Sequence, residues 1–318
     1  MRIVAALVLA ASAAAAPAQQ FPTKPIRLVV PFAPGGSSSI VARSVAHEME
    51  AKLGQPIVID NKPGGAGNVA MQEVARAEPD GYTLIIGHIG TLAVNPYMFT
   101  SLPFDTNRDF APVSLLAKVP NIFVVNADVP AKNLKEFAAL AQSRPGQLYY
   151  ASAGNGSAGH LAFEYLKLVM KIDIVHVPYK GTGPLLTDLL AGRTEAASAG
   201  TPPLLPHIKS GKLRAIAVGT PVRIAALSEV PTVAEQGYPG FETSQWYGLM
   251  APAKTPQAIV DRLAAEAAAA VKTPMVQERF AVDSALGVGS TPQEFAEFIK
   301  QEQARWSEVV RKAGIKAD

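Results

Sequence analysis

Apolar positions follow two alternating rhythms along this chain: short unbroken runs, and sets spaced at helical period. The run at Ile26, Leu28, Val29 and Val30 predicts a strand over 26–30. A helix over 40–53 follows, in which Ile40, Val41, Val45, Met49 and Leu53 share one face and Gly54 stops the element. Next come a strand over 56–59, a turn at 61–65, a helix over 68–77, a turn at Asp80-Gly81 and a strand over 83–87. The rhythm restarts with a helix over 134–142, for which Asn133 is the N-cap. A strand over 148–151, a helix over 161–170, a strand over 174–177, a helix over 184–190 and a strand over 213–218 complete it. Alternation of this kind argues for an α/β protein with mostly parallel sheets and flanking helices. Because the order strand, glycine loop, helix occurs at residue 26 and again at 148, two domains of related build are expected.

Between those blocks, residues 99–120 carry Pro103, Pro112 and Pro120 and read as a loop. The C-terminal part returns to helices over 256–271 and 292–313; the second opens on Thr291-Pro292-Gln293-Glu294, an N-cap with an early acid. Phe298 and Trp306 on it read as packing residues. Extended segments at 122–125 and 245–249 are expected to cross between the domains and act as a hinge.

Composition narrows the setting. Arg2, an alanine-rich apolar stretch over 3–16 and the small-x-small triplet Ala16-Pro17-Ala18 read as a secretory leader over 1–18, cleaved after Ala18, so a periplasmic location is expected. The chain has no cysteine, which removes disulfides, thiol nucleophiles, zinc–thiolate sites and a lipoprotein anchor. No other apolar run approaches the ~20 residues of a membrane-spanning helix. The net charge of +3 is scattered without a basic block, so no nucleic-acid partner is expected.

Candidate chemistry lies in two loops, Pro34-Gly35-Gly36-Ser37-Ser38-Ser39 and Gly154-Asn155-Gly156-Ser157-Ala158-Gly159. Each follows a predicted strand and opens a predicted helix, which aims backbone N–H groups and a helix dipole at one spot and suits an anion. Taken singly, each is an ordinary turn; as a pair at the carboxyl ends of strands in an open α/β sheet, they point to a ligand. The spacing of Gly154, Gly156 and Gly159 also fits a dinucleotide fingerprint. Asp173 stands before the next strand, however, where the ribose-binding acid should stand after it. Ser157 lacks the glycine two residues upstream that a nucleophile elbow needs. His47, His88, His160, His176 and His207 form no metal-ligand spacing, and His160 with Glu164, one helical turn apart, reads as structural. His88, at the end of a strand, either faces the cleft or packs.

These loops belong to a longer set of motifs. Val30-Pro31-Phe32-Ala33-Pro34-Gly35-Gly36, Asn61-Lys62-Pro63-Gly64-Gly65-Ala66-Gly67, Pro79-Asp80-Gly81-Tyr82-Thr83-Leu84 and Asp109-Phe110-Ala111-Pro112-Val113 are four. Val175-His176-Val177-Pro178-Tyr179-Lys180-Gly181 is the most specific. On these segments the chain resembles the Bug family (Bordetella uptake gene proteins), substrate-binding proteins of tripartite tricarboxylate transporters. The resemblance implies a two-lobed, type II-like Venus-flytrap periplasmic binding protein that closes on a carboxylate. With the crossings above, one lobe is expected over 19–123 plus 244–318 and the other over 124–243.

Carried over by position, the first lobe would contribute Phe32, Ala33, Gly35, Gly36, Ser37, Ser38, Ser39, His88, Gly90 and Thr91. The second would contribute Ala153, Gly154, Asn155, Gly156, Ser157, Tyr179, Lys180, Ala199, Gly200 and Thr201. Lys180 either adds charge there or is a solvated residue at a strand end. The family often has Asp where this chain has Ser39 and Ala199. Without that second acid a ligand ammonium would have no partner, and an unpaired buried charge is costly. The expected ligand is therefore a di- or tricarboxylate or another organic acid, aromatic ones included, that lacks an amine. A monomer with no cofactor, metal or enzymatic activity is expected, meeting inner-membrane transporter subunits. The alternatives are a secreted α/β enzyme and a ligand sensor for a membrane receptor kinase.

Overall fold

The computed structural model describes residues 21–316 except 283; the leader expected over 1–18 lies outside them. The first block runs β1 (Ile26–Val30), α1 (Ser37–Leu53), β2 (Ile57–Asn61), α2 (Asn68–Ala75), β3 (Thr83–His88) and the short α3 (Asn95–Met98). Strand β4 (Phe110–Asn126) leads into α4 (Leu134–Ser143), β5 (Tyr149–Ser152), α5 (Ala158–Met170), β6 (Val175–Pro178) and α6 (Thr182–Leu190). Then come β7 (Ala196–Gly200), α7 (Thr201–Lys209), β8 (Leu213–Val218) and β9 (Ser244–Pro252). The chain closes with α8 (Gln257–Val271), α9 (Pro274–Val282), the two-residue β10 (Leu286–Gly287) and α10 (Pro292–Ala313).

The strand order β2-β1-β3-β9-β4-β7-β5-β6 is held together by β4, the longest strand. Its first part, Phe110 to Pro120, pairs with β9; its last part pairs with β7 on one side and β8 on the other. Parallel pairing holds where the βα rhythm predicts it, β1 with β2 and β3, and β5 with β6 and β7. The crossing strands β4 and β9 pair antiparallel with their neighbours, so the whole sheet is mixed.

Two cores pack on the faces of the first sheet: α1 with α8 on one, and α2 with Trp246, Phe295 and Trp306 on the other. Two more flank the second sheet, one built on Phe123, Phe137, Tyr150 and Phe163 and the other on Ile122, Leu185 and Leu204. Trp306 is buried and Phe298 half-buried against this packing, as read from the sequence.

Two expectations change. Much of the stretch 99–120 is strand: β4 begins at Phe110, and Pro112 falls at a register shift where a lost N–H is tolerated. Residues 122–125 are extended, as expected, inside β4 with partners on both sides, and β4 exchanges β9 for β7 and β8 just before them, at Pro120-Asn121. Helix α1 begins at Ser37 rather than at residue 40, with Gly36 as N-cap, so the three serines lie in its first turn.

Candidate functional site

The loops that leave β1, β3, β5, β6 and β7 at their carboxyl ends meet over one small cavity of about 20 Å³. Its wall takes Phe32 from the end of β1, Gly36, Ser37 and Ser38 from the start of α1, and His88 from the end of β3. Ala153, Ser157, Ala158 and Gly159 come from the β5–α5 loop, Thr182 from the start of α6, and Ser198 and Ala199 from β7. Gln245 and Tyr247, two apart on β9 and thus on one face, close it. His88 and the Tyr247 phenol are the ionisable groups in the wall, and no carboxylate, lysine or arginine lines it.

Helix ends supply the electrostatics. Gly36, Gly181 and Gly200 are the N-caps of α1, α6 and α7, and none of these helices has a side-chain cap. No side chain claims their first N–H groups, although Ser39 N turns back to the Gly36 carbonyl (3.1 Å) and Pro184, Pro202 and Pro203 have none to offer, and each helix adds about half a positive charge at that end. Helix α5 differs: Ser157 caps it by accepting from His160 N (3.3 Å).

The second glycine loop uses most of its own amides. Gly154 N donates to Ser152 Oγ (3.1 Å), Gly156 N to His160 Nδ1 (3.2 Å) and Ser157 N to Gly154 O (3.0 Å). Ser152 Oγ also meets His176 Nε2 at 2.6 Å, and the His176 ring stacks between His160 (4.3 Å) and Tyr150 (4.8 Å). Burial pushes the two imidazoles down, His160 to about 4 and His176 to about 3, so both stay neutral. The loop is thus braced from beneath, and what it offers the cavity is Ser157 to Gly159 rather than a row of free N–H groups.

His88 is buried, with Phe32 against its ring at 4.5 Å. Its Nδ1 accepts the N–H of Thr91 (2.8 Å), and burial lowers its pKa to about 4. A chain of hydrogen bonds crosses the floor. Tyr247 Oη donates to Gln245 Oε1, Gln245 Nε2 to Asn121 Oδ1 (2.7 Å), and Asn121 Nδ2 reaches the carbonyl of Ala158 (3.5 Å). Burial raises the Tyr247 phenol, which stays protonated. Asn121 stands where β4 passes from one sheet to the other, so this chain ties the crossing strands to the start of α5.

Of the residues read from sequence, Phe32, Gly36, Ser37, Ser38, His88, Ala153, Ser157 and Ala199 line the cavity. The others stand behind or beside it. Ala33 N donates to the carbonyl of Lys180 (3.1 Å) while the Lys180 side chain is exposed, so this residue reaches across by its backbone. Tyr179 Oη donates to Asp188 (2.7 Å), away from the cavity, and burial with that bond pushes its pKa up to about 12. Ser39 Oγ accepts from Asn61 Nδ2 (3.0 Å). Gly35 packs on Gly183, and Gly90 lies so close to the Gly156 carbonyl that a Cβ there would collide with it. Thr91 and Thr201 are buried, Thr91 against His88 and Thr201 near the carbonyl of Pro120 (3.4 Å). Thr182, Ser198, Gln245 and Tyr247 were not read as site residues.

The chain matches the family model described as "Tripartite tricarboxylate transporter family receptor" over residues 41–315. Protein BugT of Bordetella pertussis (strain Tohama I) is 37% identical over 316 residues, covering 98% of this chain and 97% of that one. Among solved structures, R. palustris Rpa4515 with adipate superposes with a TM-score of 0.90 at 37% identity, covering 93% of this chain and 99% of the other. MatC from Rhodopseudomonas palustris with bound malate gives 0.88 at 36% identity, covering 91% and 100%.

Proposed function

Since the chain belongs to the tripartite tricarboxylate transporter receptor family, we propose that it is a periplasmic solute-binding protein for a small organic acid that lacks an amine. It releases that acid to a tripartite tricarboxylate-type transporter in the inner membrane. Capture involves no bond making. The carboxylate sits on the uncapped starts of α1 and α6 and beside the start of α5, where helix dipoles and N–H groups take its charge. The cavity wall supplies hydroxyls, an amide and an imidazole as further neutral partners.

One observation carries the choice of ligand: no aspartate or glutamate lines the cavity, and Ala199 stands in its wall. An ammonium buried there would face helix N-termini without a counter-charge. That adipate and malate are the ligands named for two close structural relatives agrees with this class.

The parts that move are two lobes. One is built on β1, β2, β3 and β9, the other on β5 to β8, and β4 joins them at Pro120-Asn121. A space of about 20 Å³ admits a water-sized group. A multi-carbon acid therefore enters with the lobes apart and, once bound, holds them wider than they stand here.

Titration of the purified protein with succinate, adipate, malate, terephthalate, aspartate and glutamate tests the reading. Binding of at least one amine-free acid, with a higher melting temperature at saturation, is expected. Tight binding of the amino acids alone would contradict it.

A further inference from the structure

Two polar side-chain atoms in the cavity wall are buried without a partner in the protein: His88 Nε2 and Ser198 Oγ. Their residues are 3% and 1% exposed. They come from opposite sides, His88 from β3 and Ser198 from β7. None of the other residues with such an atom, among those described, lines this cavity.

The backbone sets the tautomer of His88. The N–H of Thr91 can only donate, and it points at Nδ1 from 2.8 Å. The Thr91 hydroxyl also stands 3.1 Å from Nδ1, while it accepts from the His88 N–H (3.2 Å) and lies within donating reach of the His88 carbonyl (3.3 Å). Nδ1 is therefore an acceptor, and in a neutral ring the proton sits on Nε2. The ring packs on Phe32, which holds its plane. The cavity wall thus includes a residue with an unpartnered N–H from one sheet and a residue with an unpartnered hydroxyl from the other, and neither carries charge.

We infer that His88 Nε2–H and Ser198 Oγ–H are a donor pair, one from each lobe, that hydrogen-bonds the oxygens of the bound carboxylate. The ligand then supplies the acceptor that both donors lack, so its arrival links β3 to β7. The pair also sets specificity: an ammonium gains nothing from the N–H and finds only the neutral Ser198 oxygen as acceptor, whereas carboxylate, keto and hydroxyl oxygens are served by both donors. This inference rests on the organic-acid reading above.

The test uses the mature chain, with isothermal titration against the amine-free acid that the wild type binds best among succinate, adipate and malate. His88→Phe keeps the ring against Phe32 and removes the donor, His88→Gln returns an N–H near the Nε2 position, and Ser198→Ala removes the hydroxyl. His88→Phe and Ser198→Ala should each raise Kd about tenfold or more, and His88→Gln should restore it to within about threefold of wild type. Melting temperatures of the ligand-free variants should not fall, because each loses a donor that had no partner. Imidazole ¹⁵N shifts of ligand-free wild type should show the Nε2–H form at His88, a measurement that needs no ligand.

Unchanged affinity in His88→Phe would overturn the pair. So would a loss that comes with a lower ligand-free melting temperature and is not restored by His88→Gln, or an Nδ1–H tautomer. Wild type that binds no amine-free acid, with the nitrogen assignment intact, would instead sink the organic-acid reading and the carboxylate role with it.

Discussion

Gly36 and Gly159 separate binding from folding, and Gly90 bears on both. A Cβ at Gly36 would lie 3.1 Å from Thr182 Oγ1, and one at Gly90 would strike the Gly156 carbonyl, both across the cleft. A Cβ at Gly159 would strike the Ser198 carbonyl, where α5 packs on β7 within one sheet. Gly36→Val is therefore expected to weaken acid binding at least tenfold with little change in melting temperature, whereas Gly90→Ala should weaken binding and also lower the melting temperature, because its Cβ would meet the His88 ring (2.6 Å) on its own side. Gly159→Ala should lower stability by about 1–3 kcal/mol, the usual range for overpacking; thermal and urea unfolding of the ligand-free variants distinguish the two classes. Ala199→Asp places a carboxylate in the wall and should abolish binding of amine-free acids, read by calorimetry.

The histidines give stability a pH dependence of known sign. His88, His160 and His176 are held neutral by burial, with pKa values of about 4, 4 and 3. Unfolded, each binds its proton near pH 6.5. The unfolded chain therefore takes up more protons below that pH, and stability, full above about 6.5, is lost as pH falls toward 4 and 3. His88 alone corresponds to roughly 3 kcal/mol over that window. Melting temperature measured from pH 7.5 to 4 should fall monotonically; a flat profile would contradict the buried neutral assignments.

Helix and strand ends were legible where local chemistry decides them. Asn133 caps α4 by accepting from Glu136 N (2.9 Å), and Thr291 with Glu294 forms a reciprocal capping box at α10. Thr291→Ala should cost about 1 kcal/mol by chemical unfolding and leave acid affinity unchanged. What stayed hidden was decided by partners far along the chain. Strand β7 reads Ala-Ala-Ser-Ala-Gly, a poor β pattern, and exists because β4 and β5 flank it and every residue is buried. Strand β4 carries Pro112 and Pro120, punctuation that pairing on β9 overrides. Within the site, the two glycine loops and His88 were readable from spacing. Gln245 and Tyr247 were not, because only the β3–β9–β4 pairing carries them to the cavity.

At the scale of the whole molecule, residues of the two glycine loops meet at one cavity. The two sides contribute unequally. The first offers uncapped amides at α1, whereas the second spends its loop amides on Ser152, His160 and its own carbonyl and presents the starts of α5 and α6 instead. In solution, the scattering radius of gyration should decrease when a bound acid shuts the lobes.

The most direct test is a crystal structure of the chain with adipate. A carboxylate within hydrogen-bond reach of the first turn of α1, and touched as well by Ser198 or the start of α5, is the expected result. Adipate held by residues of one sheet only, or lodged outside this cavity, would contradict the account.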